Sequence, residues 1–151
     1  ITKIVEALRS DPAASMSTAV VKLTNSDEAY SRSEVKCVMD KQGNVLYFSR
    51  SLIPGGNAET QFRKEVTYYK HLGVYAYSPE FLVKYAALPM TPLQIAEDLE
   101  QLKVLENGYK IKAAVVASAS AGVNLPEDIK KVELELCKLN TFSSLAASVH
   151  P

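Results

Sequence analysis

The chain of 151 residues has no net charge, because Lys plus Arg and Asp plus Glu number 17 each. It also lacks a sustained basic stripe. That argues against nucleic acid as the main partner, since phosphate backbones are met by clustered cations. No apolar run approaches the roughly 20 residues of a membrane-spanning helix. No secretory leader is visible in the residues given, for Ile1-Thr2-Lys3-Ile4-Val5-Glu6 is amphipathic and carries an acid. Cysteine is scarce: Cys37 and Cys137 stand far apart without metal-ligand spacing. Two buried thiols in a reducing cytoplasm are expected. No internal repeat is visible. The chain does not begin with Met, and Ile1, Ile4, Val5 and Leu8 already share one helical face. The expectation is a piece of something longer.

What is present suits a globular domain with a real core: 47% hydrophobic and 23% charged residues. Asp11-Pro12 ends the opening helix, and Met16 to Leu23 leans to strand. Ser26 to Tyr30 reads as one helical turn capped by Ser26 or Asp27. Val35, Cys37 and Met39 alternate with Lys36, Val38 and Asp40, the period of a strand. Lys41-Gln42-Gly43-Asn44 is a hairpin turn leading to the partner strand Val45–Ser49. A long polar connection runs from Arg50 to Val66. Thr67 to Tyr77 is a strand interrupted by Gly73. Ser78-Pro79 opens a helix to Leu88, and Thr91-Pro92 opens another that the pattern carries to Asn107-Gly108. Its apolar face is Leu93, Ala96, Leu99, Leu102 and Leu105. Ile111 to Ala117 is a strand, and a last helix starts at Pro126 with Ile129, Val132, Leu134 and Leu136 as its stripe. One domain over residues 1–140 with a loose tail, 141–151, is expected, in a layered α/β arrangement with at least one antiparallel hairpin.

In this order the segments carry a resemblance. Val35-Lys36-Cys37-Val38-Met39-Asp40, Tyr47-Phe48-Ser49-Arg50 with Ile53-Pro54, His71-Leu72-Gly73-Val74-Tyr75, Leu99-Glu100-Gln101-Leu102 with Glu106-Asn107-Gly108, and Gly122-Val123-Asn124-Leu125-Pro126-Glu127-Asp128 stand in matching sequence. Together they resemble the C-terminal part of the CMP-KDO synthetases, the 3-deoxy-manno-octulosonate cytidylyltransferases, in a plant-type form. The resemblance covers nearly the whole chain. It implies a Rossmann-like nucleotide-diphospho-sugar transferase fold, mostly parallel, with an antiparallel extension used for dimerisation. It implies transfer of a cytidylyl group from CTP to the acidic sugar KDO with release of pyrophosphate, Mg2+ as cofactor, and a cytoplasmic homodimer.

The same resemblance assigns the sugar site to Arg50, His71, Tyr75, Glu100 and Gln101. Each also has a plainer reading. Arg50, at a strand end, suits a carboxylate with its planar fork, or is a surface cation. His71 among apolar neighbours is often a satisfied core residue. Tyr75, four residues on, shares a strand face with it, or simply packs. Glu97, Asp98 and Glu106 are expected as surface charges. Asn124 occupies the position of a family Asp that binds magnesium, and its neutral oxygen would hold the ion more weakly.

The family's N-terminal phosphate-gripping loop and its Gly-Asp-Glu-Pro segment have no counterpart. Two readings therefore stand: an enzyme seen as its C-terminal part, or a catalytically silent paralogue or partner subunit of that fold. A cytidylyltransferase for another acidic sugar fits the motifs less well.

Overall fold

The apolar face at the start of the chain forms helix α1 (Thr2–Arg9) in the computed structural model, which describes residues 1–56 and 62–117 together with 129, 130, 132–134 and 137. Ile4 is buried, whereas Ile1 is exposed. The helix packs on a sheet whose contact residues are small: Ile4 meets Ala19 of β1 (Ala14–Leu23) and Ala114 of β5 (Lys110–Val116), with Ala7, Leu72, Ala76 and Val116 around them. Small side chains let the helix backbone come close, and the buried Ser17 hydroxyl donates to the Ile4 carbonyl at 2.6 Å. The strand β1 is buried almost throughout, as expected of a strand covered on both faces.

The other three strands are β2 (Lys36–Met39), β3 (Val45–Ser49) and β4 (Tyr68–Tyr77), giving the order β3-β2-β4-β1-β5. The expected sheet was mostly parallel. Among the described strands only β1–β5 pairs in parallel, and β1–β4, β2–β4 and β2–β3 are antiparallel. For β2–β3 the reason is local: they form a hairpin, and strands joined by a short turn must reverse. The Asp40 carboxylate fixes that turn by accepting from the amides of Gln42 and Asn44 and from Asn44 Nδ2. Gly43 takes φ +80° there, a conformation glycine adopts freely.

The second face of the sheet carries the larger core: Met16, Val20, Cys37, Val45, Phe48, Phe81, Leu99, Leu102, Val104 and Ile111. Helices α3 (Pro79–Ala87) and α5 (Leu102–Glu106) supply Phe81, Leu102 and Val104 to this core, and α4 (Pro92–Glu97) packs on α5, whereas α2 (Ser26–Tyr30) places Ala29 in a separate cluster with Leu23 and Tyr68. Ser78 caps α3 as its sequence predicts, accepting from the Phe81 amide. The cap of α2 is Asn25, which accepts from the Asp27 amide, and neither Ser26 nor Asp27. Thr91 makes no side-chain cap bond to α4. Glu106 does that work from a distance: its carboxylate accepts from the amides of Leu93 and Gln94, so it is more than a surface charge.

The single helix expected from Thr91 to Gly108 is two. It breaks at Asp98, whose backbone is left-handed (φ 53°, ψ 51°), and the Leu99 amide bonds back to the Gln94 carbonyl. This is the Schellman pattern of a helix end with Asp where Gly is usual. Burial of Leu99 offsets the left-handed cost of about 1–2 kcal/mol, while Leu93 and Ile95 remain exposed. A stripe read at helical period could not show this turn.

The chain divides into two units, 1–117 and 118–151. In the second, the described positions are helical, but Ile129, Leu134 and Cys137 are exposed rather than buried. In the first, Cys37 is buried as expected, and burial pushes its thiol up to about 12. No helix among the described residues is long and apolar enough to cross a membrane.

Candidate functional site

The strand β4 is irregular where it matters. Val20 pairs with His71 and Thr18 pairs with Tyr75, so three residues of β4 lie opposite the single residue Ala19. Gly73 sits in this bulge at φ +63°, with nothing within 4 Å of where a Cβ would be. In a regular strand, residues four apart share a face but stand about 13 Å apart. Here the ring centroids of His71 and Tyr75 are 5.4 Å apart. The bulge thus turns a shared strand face into direct contact.

His71 is 7% exposed. Its Nε2 lies 2.8 Å from the Thr18 hydroxyl, which in turn donates to the Val74 carbonyl at 2.8 Å. A hydroxyl has one hydrogen, so Thr18 must accept from the imidazole. This network assigns the proton to Nε2 and leaves Nδ1 as an acceptor. Burial lowers the imidazole pKa to about 4, so the ring is neutral at pH 7.

From His71 a run of rings leads across to the helices. Phe48 lies at 4.8 Å from His71, Tyr75 at 6.0 Å from Tyr77, and Tyr77 at 5.2 Å from Tyr85. The Tyr85 hydroxyl donates to Glu100 Oε2 at 3.3 Å, and Lys103 Nζ sits 4.0 Å from the Tyr85 ring centroid. Burial first, then the neighbouring tyrosines and Glu100, hold the Tyr75 and Tyr85 hydroxyls above the usual phenol range. They therefore act as neutral donors.

Gln101, beside Glu100, is 4% exposed, and its Nε2 has no hydrogen-bond partner. An unpaired buried amide costs about 1–3 kcal/mol, a penalty that a ligand acceptor would remove.

Arg50 reaches the same segment from the end of β3. Its Nε donates to the Glu97 carbonyl at 3.2 Å, Nη2 to the Asp98 carbonyl at 3.5 Å, and Nη1 to the Arg32 carbonyl at 3.3 Å. Three backbone oxygens thus take the fork that the sequence offered to a carboxylate. Of its five N–H groups, two are left over by this pattern.

The structure therefore joins His71 and Tyr75 to Glu100 through Tyr77 and Tyr85, and Arg50 to the residues just before Glu100. Sequence reasoning did not find Thr18, Tyr77, Tyr85 or Ser49. A hydroxyl directly ahead of the apolar run Ala19-Val20-Val21 was the available signal for Thr18. Glu97, expected as a surface charge, accepts from the Ser49 hydroxyl and the Arg50 amide and is only half-exposed.

Asn124 lies outside the described residues, and among those described no three His, Cys, Asp or Glu side chains gather to hold a metal ion.

A family model described as "Cytidylyltransferase" matches residues 1–111. A 3-deoxy-manno-octulosonate cytidylyltransferase of Protochlamydia amoebophila is 56% identical over 142 residues, which is 94% of this chain and 54% of the relative. The enzyme of that name from Zea mays is 46% identical over 136 residues, 88% of this chain and 44% of the relative. The chain spans about half the length of the curated relatives it matches. A solved structure of CMP:2-keto-3-deoxy-manno-octonic acid synthetase complexed with CTP superposes with a TM-score of 0.80 at 33% identity, covering 89% of this chain and 54% of that one. The α/β fold expected of a nucleotide-diphospho-sugar transferase is the fold found.

Proposed function

Because this chain belongs to the cytidylyltransferase family, we propose that it forms the sugar-acid side of an enzyme that moves a cytidylyl group from CTP to 3-deoxy-manno-octulosonate. In that reaction a sugar hydroxyl oxygen bonds to the α-phosphorus, the hydroxyl proton is lost and pyrophosphate leaves. The protein's task is to hold the sugar so that this oxygen lies in line. In this reading Gln101 Nε2 donates to a sugar oxygen, and Glu100 and His71 Nδ1 accept from hydroxyls. Tyr75 lends its ring and phenol, and Arg50 spends its two remaining N–H groups on the carboxylate. Magnesium is the ion this reading implies, arriving with the triphosphate. A homodimer is the implied assembly, and the exposed Leu82, Val83, Met90 and Ile95 are apolar enough to support one.

The observation that carries the proposal is the buried, unpartnered amide of Gln101 next to Glu100. A site built to hydrogen-bond a ligand leaves such a group waiting. Calorimetric titration with 3-deoxy-manno-octulosonate tests it. Gln101→Ala should weaken binding by roughly tenfold or more. Undiminished affinity in that variant would refute the assignment.

A further inference from the structure

The turn that presents Glu100 and Gln101 is held from outside the helix that precedes it. The Glu97 carboxylate accepts from Ser49 Oγ at 2.7 Å through Oε1 and from the Arg50 amide at 3.1 Å through Oε2. The Arg50 side chain answers by donating to the Glu97 and Asp98 carbonyls at 3.2 and 3.5 Å. The end of β3 and the end of α4 are therefore bracketed in both directions: side chain to backbone one way, and side chain to backbone the other. The strand side of the bracket is itself anchored, because buried Lys36 donates to the Arg50 carbonyl at 2.6 Å. Immediately beyond the bracket comes left-handed Asp98, and two and three residues further on come Glu100 and Gln101.

We infer that Glu97 is a positioning residue for the sugar site: by pinning the end of α4 to β3 it fixes the turn at Asp98 and so aims Glu100 and Gln101. This rests on the sugar-binding reading given above. Glu97 itself touches none of the proposed sugar-binding groups except Arg50, and its action on the site runs through the backbone. A left-handed aspartate is disfavoured by about 1–2 kcal/mol relative to ordinary helix. Released from the bracket, the turn can relax toward a continued helix. A continued helix would carry Glu100 and Gln101 away from their present directions.

The chemistry of the bracket dictates which substitutions keep it. Glu97→Gln retains one oxygen for the Arg50 amide, which can only donate. Its new amide can donate to Ser49, whose hydroxyl can turn round and accept. Glu97→Asp keeps the charge but is one methylene short of both partners. Glu97→Ala keeps neither.

The test measures affinity for 3-deoxy-manno-octulosonate by calorimetry on the protein and on Gln101→Ala, Glu97→Ala, Glu97→Asp and Glu97→Gln, each with its thermal unfolding midpoint. Glu97→Gln should bind within twofold of the parent. Glu97→Ala and Glu97→Asp should lose tenfold or more while still unfolding cooperatively. Should Glu97→Ala not fold, the Asp and Gln variants decide the matter alone. Native affinity in folded Glu97→Asp or Glu97→Ala would overturn the inference. Equal losses in Gln and Asp would overturn it too, since Gln keeps the two-point bracket and Asp does not. The reading beneath it fails differently: the parent would not bind the sugar acid, or Gln101→Ala would bind it undiminished, whatever the Glu97 variants do.

Discussion

Replacing Lys36 by methionine should cost about 4 kcal/mol of stability, enough to unfold many domains. The Lys36 side chain is fully buried. Its ammonium donates to the carbonyls of Ser31 at 2.7 Å, Glu34 at 2.6 Å and Arg50 at 2.6 Å, using all three of its hydrogens. Burial pulls its pKa below the usual lysine range, yet the three oxygens supply the solvation that water would give. Methionine has similar length and no donor, so three half-buried carbonyls would lose their partner at once, each at about 1–3 kcal/mol before relaxation. Urea unfolding of the two proteins measures the difference. A loss below about 1 kcal/mol would show that the carbonyls find other donors.

The second large effect is a dependence on pH. The folded state holds His71 at a pKa of about 4, against 6.5 for an unperturbed imidazole, because the ring is buried. Above pH 6.5 the ring is neutral in both states and contributes nothing to the slope. As pH falls from 6.5 to about 4 the unfolded chain takes up a proton that the folded one refuses, so stability falls. The total is about 3 kcal/mol. Unfolding in urea at pH 7.5 and pH 4.5 should show the loss in the parent. His71→Gln, lower in stability throughout, should lack that part of it. Identical pH slopes in the two proteins would contradict the burial argument.

These two residues also show what a sequence can and cannot disclose. The hairpin was legible because Gly43 and Asp40 act on their nearest neighbours. The cap of α3 was legible because Ser78 bonds three residues ahead. Strand alternation at Val35, Cys37 and Met39 set Lys36 apart from the core side, yet it is buried. Its partners Ser31, Glu34 and Arg50 meet it only in the folded loops. The break at Asp98 depends on Arg50 and Ser49, nearly fifty positions earlier, and period-based reading has no access to such contacts. His71 and Tyr75 were readable as a pair on one face, but their ring contact comes from the bulge at Gly73. The candidate site residues themselves were found by ordered motifs. The groups that hold them in place, Thr18, Ser49, Tyr85 and Glu97, were not, because their roles exist only across chain-distant contacts.

The central claim is that groups from β4 and from the turn between α4 and α5 make one cradle for an acidic monosaccharide. Nuclear magnetic resonance on 15N-labelled protein tests it most directly, by following the Gln101 side-chain amide and the His71 Nδ1 signal during addition of 3-deoxy-manno-octulosonate. Both signals should move together with a single half-saturation concentration. Movement of one without the other, or of neither at saturating sugar, would contradict it.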